Sequence, residues 1–310
     1  MTAKPTDDVI RDLGFGARIA ERSPLRLLNR DGTFNVARRG LPFFQSLNLY
    51  HSLLTMSWTR FYLLIAAADV VVNSAFAVAY LLCGEGALEG SVGRGTGERF
   101  LDAFFFSVQT LATIGYGRVN PNSLAANIIV SVEALAGLLG FALATGLLFA
   151  RVSRPEAKVL FSSRAVVAPY RETTGFMLRI ANQRRSELSE VHATLLLVLH
   201  PSEGGRKFLA LTLERPKVAF LPLHWVIVHP VDEQSPMHGM TREKLEEMDA
   251  EVIVLLTALD EATSQTVHTR SSYKWNEIVW EAKFADMFSD TENGVITADL
   301  RRIHEIERMR

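Results

Sequence analysis

Two long apolar stretches, Phe61 to Cys83 and Leu124 to Ala150, constrain this chain more than any other feature. Each is long enough to cross the hydrocarbon of a bilayer. Trp58, Tyr62 and Tyr80 sit near the ends of the first, where amphipathic rings favour the headgroup level. Asp69 and Asn73 interrupt it, and a carboxylate at mid-span is costly and should face protein or water. Asp69 is therefore either a polar contact between helices or a side chain without a role. The second stretch carries one charged residue, Glu133, toward its outer end, and three small positions at Gly137, Gly140 and Gly146 that allow close helix approach or bending.

Between the spans, Gly84 to Gly97 is a glycine-rich loop, and Phe100 to Ala112 is apolar but covers only about 20 Å as a helix. A short apolar helix of this kind is expected to be re-entrant, buried in protein rather than lipid. It leads into Thr110-Leu-Ala-Thr-Ile-Gly-Tyr-Gly-Arg118. A dehydrated cation needs rings of oxygens, which backbone carbonyls supply when an extended chain turns them inward. Glycine alternating with larger residues permits the backbone angles required. Thr113, Ile114, Gly115, Tyr116 and Gly117 thus read as a potassium-selectivity filter, with Thr113 adding a hydroxyl oxygen and Gly117 serving the backbone. One chain supplies one wall, so four chains around an axis are implied.

The chain has 310 residues, 22% of them charged and 48% hydrophobic, with a mean hydropathy of +0.13. That mean joins an apolar front section to a back half of ordinary soluble character. The net charge of −1 gives no basic field for nucleic acid. The single cysteine, Cys83, excludes an intrachain disulfide, and no Cys/His zinc spacing exists. Met1 to Ile10 is polar and does not read as a cleavable signal peptide.

Residues 1–42 read as a mostly irregular cytoplasmic segment with a turn at Asn29-Arg-Asp-Gly-Thr33. In residues 43–56, Phe43, Leu47, Tyr50 and Leu54 recur on one helical face, as in a helix lying at the membrane surface. The pore section is expected over 57–154, with spans at about 61–83 and 124–150, a pore helix at 100–112 and the filter at 113–117. Arg38, Arg39 and Arg60 precede the first span, and Arg151, Arg154, Lys158 and Arg164 follow the second, which places both termini in the cytoplasm. Phe149 falls at the inner end, where four copies would form a hydrophobic constriction, and Gly137 is the candidate hinge.

After Pro155 the pattern changes to strands. Candidates are Ser163–Tyr170, Phe176–Asn182, Val191–His200, Lys207–Glu214, Ala219–His229, Glu251–Asp260 and Thr266–Trp275. Short strands with regular turns over 155–310 suggest an immunoglobulin-like β-sandwich. Thr241 to Met248 reads as a short helix capped by Thr241, and Arg301 to Arg310 as a terminal helix.

These residues together resemble the prokaryotic inward-rectifier-type potassium channels (the KirBac group) and, more distantly, eukaryotic inward rectifiers. The resemblance runs through Leu53-Leu-Thr-Met-Ser-Trp58, Asp102-Ala-Phe-Phe-Phe-Ser107, Thr113-Ile-Gly-Tyr-Gly117, Ala150-Arg-Val-Ser-Arg-Pro155, Leu160-Phe-Ser-Ser163, Val228-His-Pro-Val-Asp232 with Ser235-Pro236, and Arg270-Ser-Ser-Tyr273. It implies a homotetramer in a bacterial inner membrane, conducting K+ passively and catalysing nothing. Phe149 matches the family's bundle-crossing gate, Gly137 its inner-helix glycine, and Glu190 and Glu261 acidic residues of the cytoplasmic pore that bind Mg2+ or polyamines. Arg39, Arg151, Arg154 and Lys158 resemble its phosphoinositide contacts, and juxtamembrane cations attract anionic headgroups in any case. The sign of that lipid effect is left open.

Departures from the family are Phe141, where strong rectifiers carry aspartate, and Gln109, where the pore helix often carries glutamate; a brace between position 109 and Arg118 is in doubt. Three rival readings are a membrane-tethered enzyme, a ligand sensor with a vestigial pore, and a weakly selective cation channel. The first lacks any HExxH or Gly-X-Ser-X-Gly motif.

Overall fold

The computed structural model describes residues 26–35, 49–153, 158–184, 186–201, 205–292 and 295–309. The chain divides into two units, Arg39–Arg154 and Met1–Arg38 with Pro155–Arg310.

In the first unit, helix α1 (Leu49–Thr55) is the described part of the expected surface helix, of which residues 43–48 lie outside the described residues. Helix α2 (Trp58–Leu82) begins at Ser57, whose hydroxyl caps Arg60 N. Helix α3 (Thr96–Leu111) begins earlier than its apolar run. The extra turn is polar, and the Glu98 carboxylate accepts from Arg94 N at 2.8 Å and Gly95 N at 3.4 Å, satisfying amides just ahead of the helix. Helix α4 (Leu124–Val152) begins at Ser123, whose hydroxyl accepts from Ala126 N at 3.1 Å. A two-residue ladder of β1 (Leu88–Glu89) and β2 (Asn120–Pro121) ties the loops flanking α3 together.

Helix α3 packs between α2 and α4 through Ala77, Tyr80, Ala103, Phe106 and Ala126. Small residues at 77, 103 and 126 let the backbones approach, as close packing in lipid requires. Tyr80, near the end of α2, is buried in protein: its ring meets Phe106 edge-on at 5.2 Å and its phenol finds a partner inside.

The second unit is a sandwich of two five-stranded sheets. One contains β6 (Leu188–Leu199), β7 (Lys207–Leu211), β8 (Lys217–Phe220), β10 (Glu251–Asp260) and β11 (Gln265–Lys274). The other contains β3 (Val159–Phe161), β4 (Ala165–Tyr170), β5 (Thr173–Asn182), β9 (His224–Val231) and β12 (Ile278–Trp280). Leu195, Leu197, Val252 and Val254 from the first sheet meet Phe176, Leu178, Ile180 and Ile227 from the second in one core. The candidate strand Ala219–His229 is two strands in different sheets, because Pro222 and Leu223 carry the chain across the sandwich between β8 and β9.

The continuous run Leu195–Leu199 is explained by a second apolar layer. Leu196, Val198 and Ile253 face away from the core and are covered by Leu27 and Leu28. Each such side chain taken from water contributes roughly 1.5–3 kcal/mol. Residues 26–35 are irregular, as expected, with one bridge between Leu28 and Phe34, and they are docked on the sheet. The buried Glu251 carboxylate accepts from Leu27 N at 3.0 Å and Leu28 N at 3.3 Å, and Arg26 pairs with Glu277 at 3.1 and 3.0 Å.

The short helix is α5 (Arg242–Glu247), capped by Thr241. The C-terminal stretch differs from the expected helix. It forms a 3-10 turn, Leu300–His304, and a strand, β16 (Ile306–Arg308), paired with β13 (Ala282–Phe284). The reason is Arg179 on β5, which is buried and donates to the carbonyls of Ala285 at 2.7 Å, Arg302 at 2.8 Å and Ile303 at 3.1 Å. These bonds anchor the 3-10 turn to β5, while Arg302 O also accepts from Glu305 N at 3.0 Å. A further hairpin joins β14 (Phe288–Glu292) and β15 (Val295–Ala298).

The His229 motif is structural. Nδ1 lies 2.6 Å from Thr212 O, a group that only accepts, so Nδ1 carries the hydrogen. Nε2 is 2.7 Å from the Ser235 hydroxyl, which in turn accepts from Met237 N at 3.0 Å. Burial pushes His229 below the ordinary histidine range, with Thr212 and Asp232 opposing. A depressed value in the fold means that the unfolded chain binds the proton more readily, so this contribution is present above a pH of about 6.5 and is lost as pH falls further. Protection of the 224–231 amides, taken relative to their intrinsic exchange rate at each pH, should therefore fall as pH drops below about 6.5, and His229→Gln should flatten that dependence.

Candidate functional site

The filter stretch follows directly from the end of α3. Thr113, Gly115 and Gly117 have φ of 57°, 58° and 76°. An ordinary strand sends successive carbonyls to opposite sides. Left-handed φ at every second residue instead brings them toward one side, the arrangement a dehydrated cation needs. Glycine accepts such angles freely, while Thr113 is held against a cost of about 1–3 kcal/mol. What holds it is the helix end: Thr113 N donates to Thr110 O at 3.0 Å, Ile114 N to Gln109 O at 2.7 Å and Gly115 N to Gln109 O at 3.3 Å. The filter amides therefore satisfy carbonyls that the helix leaves open. At the far end Asn120 Nδ2 donates to Gly117 O at 3.1 Å.

Position 109 braces the filter through its backbone. The side-chain brace lies elsewhere: Arg118 pairs with Asp102 at 3.1 Å. The other carboxylate oxygen of Asp102 accepts from Ser91 Oγ at 3.0 Å, Val92 N at 3.0 Å and Gly93 N at 3.1 Å. One carboxylate thus joins the loop before α3 to the strand after it. A cavity of about 420 Å³ lies behind the filter, lined among others by Asp102, Gln109, Tyr116 and Arg118. Ile114 and Tyr116 are exposed on the single chain, Tyr116 at 77%.

Along α4, Phe141 and Phe149 are exposed, whereas Gly137 is buried against the end of α3. A Cβ added at Gly137 would stand 2.5 Å from Leu111 O. The helix runs unbroken through this point, so Gly137 here is the place where α4 meets the pore helix.

Arg151 does not point its charge outward. Its guanidinium donates to Leu53 O at 2.7 Å and to Met56 O, and lies 4.4 Å from the Trp58 ring centroid and 5.0 Å from that of Phe61. It therefore clamps the end of α1 and the start of α2 to the last turn of α4, a contact the sequence offered no periodic signal for. Lys158 is exposed, and Arg39 and Arg154 lie outside the described residues. Asp69 is exposed on the single chain, and its carbonyl accepts from Asn73 Nδ2 at 2.8 Å.

In the sandwich, Glu190 has φ of 50° at a β-bulge, where the pairing of β6 with β10 shifts between Thr257 and Leu259. Its exposed carboxylate pairs with Lys217, which draws it below the ordinary glutamate range. Glu261 is exposed in the turn after β10, while the neighbouring Asp260 is buried and accepts from Ala262 N at 3.1 Å.

Two spanning-length helices, a short helix between them and a backbone wound to present carbonyls define an ion-channel subunit. Residues 67–154 match the family described as "Ion channel", and residues 159–310 match "Inward rectifier potassium channel C-terminal domain". The chain is 43% identical over 299 residues to the inward rectifier potassium channel Kirbac3.1 of Paramagnetospirillum magnetotacticum, covering 94% of this chain and 98% of that one. It is 33% identical over 219 residues to the inward rectifier potassium channel 4 of Homo sapiens, covering 66% of this chain and 49% of that one. The chain belongs to the inward rectifier potassium channel family. It is a membrane protein and a potassium channel, not an enzyme.

Proposed function

We propose that four copies of this chain enclose one pore, with Thr113 to Tyr116 supplying the oxygen rings that select K+. The observation that carries this reading is the left-handed φ at 113, 115 and 117 in a stretch exposed throughout on the single chain, Ile114 and Tyr116 included. A bare stretch of this kind, large apolar side chains included, is completed by symmetry-related copies. The setting is a bacterial inner membrane with both termini cytoplasmic. Potassium uptake into liposomes carrying the purified protein tests the reading. Barium-sensitive uptake is expected; its absence in every lipid composition refutes conduction.

The gate is Phe149, whose exposed ring on the last turns of α4 suits a constriction that closes by dewetting. A bend of α4 at Gly137 would lift the helix off Leu111, so the hinge and the filter support are one contact. Anionic lipids, phosphoinositides among them, act at the basic residues near the membrane, with Arg39, Arg154 and Lys158 as headgroup contacts. Arg151 transmits the effect through its clamp on the Leu53 and Met56 carbonyls. Arg151→Ala should therefore alter open probability without any phosphoinositide present, whereas Arg154→Ala should change only the lipid dose response. Unaltered basal currents in Arg151→Ala would return that residue to the headgroup contacts.

Glu190 and Glu261 attract cations in the cytoplasmic part of the pore, and Mg2+ or polyamines are the blockers they suit. Lys217 weakens that attraction by pairing with Glu190. With Phe141 in the inner helix, block is shallow.

A further inference from the structure

The described residues contain one buried polar cluster inside the pore unit that conduction does not use directly. Asn73 on α2, Ser107 on α3 and Glu133 on α4 have no exposed surface, and Tyr80 on α2 has almost none. The Ser107 hydroxyl lies 2.9 Å from Asn73 Oδ1 and also bonds Glu133 Oε1. The Tyr80 phenol donates to Glu133 Oε2 at 2.5 Å. Asn73 is fixed in turn by its bond to the Asp69 carbonyl. An ionisable group inside a span is expensive to hold and is kept for a role.

The position of the cluster indicates that role. Ser107 is two residues before Gln109, whose carbonyl takes the Ile114 and Gly115 amides. Glu133 is one turn before Gly137, which touches Leu111. Helix α3 carries carboxylates only at Glu98 and Asp102, near its outer end, and none near the filter. The outer side of the filter is braced by Asp102 with Arg118, and among the described residues its inner end is bonded to the pore helix through backbone groups alone. Any sideways movement or rotation of α3 would carry Gln109 O, and with it the amides of Ile114 and Gly115.

We propose that Glu133 is a positioning residue for potassium selectivity: steadied by Tyr80, it latches Ser107 and so fixes the pore helix between both spans, setting the filter's backbone from behind. Asn73 completes the latch from α2. The inference rests on the reading of 113–117 as the filter.

The experiment measures K+ to Na+ permeability ratios in planar bilayers, together with the melting of the assembled protein. Glu133→Gln keeps both arms, because an amide accepts from Tyr80 and donates to Ser107, and should hold the ratio within about twofold of the parent. Glu133→Ala should lower the ratio by about tenfold or more. Tyr80→Phe and Ser107→Ala each remove one arm and should lower it by lesser amounts, in assemblies that melt near the parent temperature. They carry the test if Glu133→Ala does not assemble. Unchanged ratios in Tyr80→Phe and Ser107→Ala overturn the proposal, as does equal loss in Glu133→Gln and Glu133→Ala. A parent that fails to discriminate K+ from Na+ overturns the filter reading itself, a result distinct from both.

Discussion

Gly115→Ala should leave an assembled protein that no longer prefers potassium. Gly115 sits at φ 58° with open space around its missing Cβ, so the obstacle is the backbone angle and not a clash. An L-residue in the left-handed region costs roughly 1–2 kcal/mol, or roughly 4–8 kcal/mol over four copies. The chain relieves that cost by rotating a peptide, and a carbonyl turned out of line removes one oxygen ring. Thr113 tolerates the same region because the end of α3 holds it through Thr110 O, while Gly115 has only the long 3.3 Å bond to Gln109 O. Selectivity measured in bilayers should fall toward that of a weak cation pore. Selective flux unchanged in this variant removes 113–117 from the role assigned to it.

The second large effect is expected at Gly137→Ala. The added carbon would lie 2.5 Å from Leu111 O and 3.1 Å from Leu111 Cα, both backbone atoms. Either α4 or the end of α3 must move, and overpacking of this kind costs about 1–3 kcal/mol. Leu111 is two residues before Thr113, so the displacement reaches the filter. Thermal unfolding should come at lower temperature and potassium flux should drop sharply. Gly140→Ala is the comparison, since its added carbon meets nothing within 4 Å in the same chain. A Gly137→Ala protein matching Gly140→Ala in melting and flux would set the contact aside.

Much of the architecture was legible because it rests on local pattern. Apolar length marked α2 and α4, glycine spacing marked the left-handed positions at 115 and 117, and period-two stretches marked β6, β10 and β11. The parts that were not legible depend on partners distant in sequence. Tyr80 reads as an interfacial ring until Glu133, fifty-three residues later, is seen to receive its phenol. Arg151 reads as a headgroup cation until the carbonyls of Leu53 and Met56 are found beside it. The terminal stretch has a helical composition, yet it is anchored to a buried arginine on β5 and ends in a strand paired with β13. The leucine run of β6 suggested a buried strand without revealing that Leu27 and Leu28 cover its second face. Glu190 carried its charge openly, and neither its bulge nor Lys217 could be inferred from the neighbouring residues. At 113–117 the opposite holds, because the left-handed backbone proposed to face the ion is announced by its glycines.

A pore of this kind stands or falls on whether the chain's own backbone discriminates potassium from sodium. The most direct measurement is the reversal potential of the purified protein in a planar bilayer, with potassium on one side and an equal concentration of sodium on the other. Each tenfold of selectivity displaces it by about 60 mV. A displacement of about 100 mV or more is expected, in the direction of potassium permeation, abolished by Gly115→Ala. A reversal potential near zero for the parent protein would contradict it.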